Sequence, residues 1–90
     1  RYLNMERAKQ VAPLITALRE NANSVRADIL KQAQKRLAKG ADGEEVLENA
    51  TAALMKKMLH NPSVKLREAG ENSDIEIIAA ARALFGIEEE

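Results

Sequence analysis

Ninety residues allow one domain, and a chain this short buries only about 60–65% of the surface its unfolded form exposes, so its own core is thin. Without a cysteine, neither a disulfide nor a thiolate-bound metal reinforces that core, and very regular helix packing or a second chain has to make up the shortfall. Fourteen basic and fourteen acidic residues alternate and cancel, removing the net positive excess that non-specific nucleic-acid binding draws on, though not a local basic patch.

No apolar run approaches the roughly 20 residues that span a bilayer, and the start has no signal-peptide pattern, so the chain reads as soluble and cytoplasmic. An opening Arg suggests a segment that starts inside a longer protein. Tyr2 and Phe85 are the only aromatics, too few for base stacking or an aromatic cage.

Good helix formers dominate throughout. Breaks are expected at Lys39–Gly43 and at His60-Asn61-Pro62, with a weaker one at Ala69–Ser73. In the first helix Val11, Leu18 and Val25 lie seven apart, as do Ile15, Ala22 and Ile29, giving the 4-3-4-3 seam that sets one helix against another. Beyond Ile29 the step becomes four, to Ala33 and Leu37, which relaxes any supercoil. Pro13 either kinks this helix or restarts it, because it donates no amide hydrogen and crowds the preceding turn.

Asp42 stands three residues before Glu45, the spacing of a capping box, and should open a second helix with Val46, Leu47, Ala50, Ala53, Leu54, Met58 and Leu59 on its apolar side. Lys56, Lys57 and His60 would close that helix before Asn61-Pro62 starts a short third one, ended by Gly70. A fourth helix is expected from Ser73 or Asp74 to about Phe85, with Ile75, Ile78, Ala79, Arg82 and Phe85 on one face and Gly86 as its stop. Glu88–Glu90 reads as a frayed tail.

A compact globule of this size has a diameter of about 30 Å, whereas a helix from Val11 to Leu37 is about 40 Å long. The seam therefore stays partly exposed in a monomer, and covering it is worth several kcal/mol per protomer at about 25 cal/mol per Å². The expected fold is all-α: one long helix plus two or three shorter helices, packed with a second copy into a helical bundle dimer. Val11, Ile15, Leu18, Ala22, Val25, Ile29, Leu54, Met58 and Leu59 are the expected interface.

Three ordered segments carry a family resemblance. Leu54, Lys57, Met58, Leu59, His60, Pro62, Ser63, Leu66, Arg67 and Ala69 resemble the L-x-x-K-L-L-H-x-P-T-x-x-L-R-x-A stretch of glutamyl-tRNA reductases. Upstream, Pro13, Ile15, Leu18, Arg19, Ala22, Val25 and Arg26 are similar to the family's P-x-I-x-x-L-R-x-x-A-x-x-I-R segment, and Leu84-Phe85-Gly86-Ile87 is similar to its closing Leu-Phe-Gly-Leu. Met58 replaces the usual Leu and Ser63 the usual Thr.

The resemblance implies a C-terminal dimerisation domain at residues 13–90, with residues 1–12 ending a spinal linker helix. It also implies a parent enzyme that reduces glutamyl-tRNA to glutamate-1-semialdehyde with NADPH, at the entry to tetrapyrrole (porphyrin) synthesis. In that family a cysteine of the N-terminal domain attacks the aminoacyl ester, and a Rossmann-type domain brings NADPH. This sequence has neither a cysteine nor a G-x-G-x-x-G turn, so no catalytic, cofactor-binding or metal residue is expected in it. The expected partners are a second copy and the catalytic and NADPH-binding domains of the parent chain, with glutamyl-tRNA at most peripheral.

Single residues give little else. His60 is the only histidine and has no nucleophile to activate, so it is read as a capping or packing residue. Met5, Met55 and Met58 are read as core and interface filler. Lys56, Lys57, Lys65 and Arg67 are read as a solvated helix end. The same cluster supports an alternative reading as a tRNA-contacting module, and the seam supports another as a stand-alone helical adaptor.

Overall fold

The computed structural model describes the backbone of residues 2–87 and the side chains of residues 9–87. The expected frayed tail lies outside the described residues, as do the side chains of Tyr2 and Met5. Three helices follow in order: α1 (Tyr2–Ala38), α2 (Gly43–Glu71) and α3 (Ile75–Leu84), with no strand among the described residues. The all-α expectation holds, with two further helices after the long one.

Neither proline divides a helix. α1 runs through Pro13 for 37 residues, about 55 Å at 1.5 Å per residue, so there is no restart. α2 likewise runs through Pro62, and the expected stop at Asn61 with a separate third helix is wrong. One proline removes one ladder hydrogen bond and costs about 3 kcal/mol in a helix interior. Helix growth is cooperative, and strong formers on both sides offset that local loss. Gly70 is accordingly an interior residue of α2 and not its end.

The helix starts were legible. The Asp42 carboxylate accepts a hydrogen bond from the Glu45 amide at 3.0 Å, as the capping spacing predicts. Asp74, not Ser73, caps α3 and accepts from the Ile77 amide at 3.2 Å. Ser73 instead belongs to the end of α2.

All three helices end on the same device. The residue past each cap takes left-handed backbone: Gly40 at φ 90°, Ser73 at φ 54° and Gly86 at φ 65°. The next amide then reaches back to the final turn, from Ala41 to the Arg36 carbonyl (3.0 Å), Asp74 to Ala69 (2.8 Å) and Ile87 to Arg82 (2.9 Å). Glycine adopts this backbone freely, whereas a serine there is strained by its Cβ. Ser73→Gly should therefore raise stability by about 0.5–1 kcal/mol, seen as a higher urea midpoint. An unchanged or lower midpoint would mean that Ser73 carries no strain.

The chain divides into two compact units, Arg1–Met55 and Lys56–Glu90, with α2 contributing to both. In the first unit, Arg36 and Glu45 approach to 3.9 Å across the turn joining α1 to α2. Among the described residues, Val46 is the buried hydrophobic of this unit at 2% exposure, and Ala69 that of the second at 3%. Leu66, Ile78 and Ala81 are half-buried and share an apolar groove with Arg82, Phe85 and Ile87. The inner face of α3 is thus Ile78 and Ala81. Ile75, expected on that face, is instead 77% exposed in the first turn of α3. Arg82 is exposed and lines the same groove.

Candidate functional site

Among the described residues, much of the exposed surface is large and apolar. On α1, Val11, Leu14, Ile15 and Leu18 follow the i, i+3, i+4, i+7 spacing that puts them on one helix face. They are 49%, 61%, 47% and 60% exposed, far above what large aliphatic side chains show inside a core. The stripe continues along the same helix to Ala22, Val25, Ile29 and Ala33, which are half-buried. One seam is therefore covered over its second half and bare over its first.

The covered half ends in a groove of about 400 Å³ whose walls are α1 and the first turns of α2. Ile29, Leu30, Ala33 and Leu37 form one wall, and Val46, Leu47, Ala50 and Leu54 the other. Leu30, Leu37 and Leu47 remain exposed at its lip. Arg26, Gln34 and Thr51 are its polar liners. The Thr51 hydroxyl is already committed to the Leu47 and Glu48 carbonyls at 2.9 and 3.0 Å.

The nine residues expected at an interface fall into three groups. Val11, Ile15 and Leu18 are exposed; Ala22, Val25, Ile29 and Leu54 are half-buried; Met58 and Leu59 are exposed on the part of α2 that belongs to the second unit. Ile29 and Leu54 both line the groove. Leu14, Leu30, Leu37 and Leu47 are also exposed and stand outside those nine, although Leu37 and Leu47 were read as apolar-face residues. Leu14 was legible from its place three residues after Val11, and Leu30 and Leu47 from being the outer members of the pairs Ile29-Leu30 and Val46-Leu47.

Two polar readings change. His60 is exposed in mid-helix and neither caps nor packs. Lys56 and Lys57 also sit mid-helix, so dipole compensation at a helix end does not account for them, and the last turn of α2 has no basic residue. Lys65 pairs with Glu68 at 3.6 Å, an exposed i,i+3 contact worth little. Among the described residues no group of three or more His, Asp or Glu side chains is placed to hold a metal ion. No helix among them is long and apolar enough to cross a membrane.

What these features define is a helical module whose chemistry is exposed apolar surface, with Val46 and Ala69 the buried hydrophobics among the described residues. The sequence matches the family described as glutamyl-tRNAGlu reductase, dimerisation domain, over residues 1–87, and the chain belongs to that family. It is 37% identical over 87 residues to a glutamyl-tRNA reductase of Neisseria gonorrhoeae, covering 97% of this chain and 21% of that protein. A glutamyl-tRNA reductase of Neisseria meningitidis serogroup B matches with the same figures. One of Pseudomonas paraeruginosa is 37% identical, covering 94% of this chain and 21% of its own length. The chain thus spans about a fifth of the length of these curated relatives. No solved structure matches.

Proposed function

We propose that this chain joins two copies of a glutamyl-tRNA reductase by pairing with itself through the apolar face of α1. The observation that supports the reading is the half-covered seam: Val11, Leu14, Ile15 and Leu18 stay in water in a single chain while the same stripe is covered further along. Ala22, Val25, Ile29, Leu54, Met58 and Leu59 complete the proposed interface. The paired helices form a bundle, with residues 1–12 as the end of a linker helix and 13–90 as the pairing domain.

The enzyme around it is NADPH-dependent and reduces glutamyl-tRNA to glutamate-1-semialdehyde in the cytoplasm, feeding tetrapyrrole synthesis. This chain contributes no group to that reaction. Its role is to hold two sets of catalytic and NADPH-binding domains in one particle. The family membership and the relatives' length support this division of labour, since about four-fifths of those relatives lies outside the matched region.

Light scattering at micromolar concentration tests the reading. The chain is expected to show about twice its 9.9 kDa mass. A clean 9.9 kDa species at that concentration would remove it.

A further inference from the structure

We infer that the two copies pair with their α1 helices antiparallel, so that the Val11–Leu18 ridge of each copy seats in the α1/α2 groove of the other. This rests on the self-pairing proposed above and goes on to assign its geometry.

The first argument is area. Four aliphatic side chains at about half exposure have roughly 350 Å² of apolar surface to give. A stable symmetric dimer buries about 800 Å² per partner. The ridge alone is too small, so its partner surface must add apolar area of its own. On the same unit, the groove adds to it: Leu30, Leu37 and Leu47 stand exposed around a cleft of about 400 Å³. The two patches are also continuous, because the seam from Val11 passes through Ala22 and Val25 into Ile29, which lines the groove.

The second argument is symmetry. In a two-fold dimer, if residue i meets residue j of the partner, then j meets i. Were the two α1 helices parallel, ridge would face ridge and groove would face groove, leaving both clefts unfilled. Antiparallel helices bring each ridge onto the other copy's groove. The ridge centres near Ile15 and the α1 wall of the groove near Ala33, so the axis passes close to Ala22–Val25. Small Ala22 suits that point, since two helices approach closely only where their facing side chains are short. With this register the two copies of Ile15 lie about 27 Å apart along α1.

The chain has no cysteine, so single introduced thiols report positions without interference. Chains carrying Ile15→Cys are mixed with chains carrying Leu30→Cys, re-equilibrated and oxidised, with masses read before and after. The expected result is a mixed disulfide at least tenfold more abundant than a homodisulfide of either variant. A predominant Ile15→Cys homodisulfide would establish parallel helices and overturn the inference. A dimeric mass with no mixed disulfide, repeated with Leu47→Cys on the opposite wall, would also overturn it while leaving self-pairing intact. A monomeric mass before oxidation would instead sink the self-pairing itself.

Discussion

Replacing Ile15 and Leu18 together with Asp is expected to turn the dimer into a folded monomer. Both side chains are about half exposed in the single chain, so covering each in the dimer contributes roughly 1 kcal/mol. Two-fold symmetry applies each loss twice, giving about 4 kcal/mol, or about a thousandfold in Kd. Placing four carboxylates in the seam adds a desolvation cost in the same direction. Thr16→Asp, which adds charge on the opposite side of the same turn, should leave the mass unchanged. Sedimentation equilibrium measures both. Circular dichroism shows whether helix content survives, separating loss of pairing from loss of folding. Equal dissociation constants for the double variant and the Thr16→Asp control would refute the assignment of this face.

The second large effect belongs to Val46. It sits at 2% exposure where α2 first meets α1, and Ala69 is the other buried hydrophobic among the described residues. An Asp there would be a carboxylate withdrawn from water without a cation, costing about 3–5 kcal/mol. Against a net stability of roughly 5–10 kcal/mol for a domain of this size, that change removes much or most of it. Val46→Ala should cost about 2 kcal/mol, the value of two methyl groups and a small cavity. The urea midpoint should therefore fall in the order wild type, Val46→Ala, Val46→Asp. A Val46→Asp chain with an unaltered midpoint would show that the α1–α2 contact contributes little to folding.

Local chemistry was largely readable from the residues. Asp42 three positions before Glu45 announced the start of α2, and Gly40 and Gly86 announced two of the three helix ends. The third end was hidden because a serine takes the left-handed position, and no residue type at Ser73 signals that backbone. Pro62 misled for a related reason. Asn-Pro is a common helix start, and only tertiary context shows that Pro62 lies on the side of α2 that shares a groove with Ile77, Ala81 and Phe85. There the helix gains more from staying continuous than it loses in one hydrogen bond.

The seam shows the deeper limit. Ile15 and Ile29 occupy equivalent heptad positions, and nothing in the sequence separates a residue bare in the single chain from one covered by α2. Periodicity fixes a face. It does not say how far along that face the chain's own second helix reaches. That depends on where α2 starts and which of its residues turn inward, and both follow from the Asp42 cap and the burial of Val46.

Isotope-filtered NMR on a mixture of labelled and unlabelled chains tests the central claim most directly, because it detects only proximity between different copies. Methyl groups of Val11, Ile15 and Leu18 on one chain should show cross-relaxation to protons of another. If those methyls report contacts within their own chain alone, in a sample whose mass is dimeric, then α1 does not join the two copies through this face.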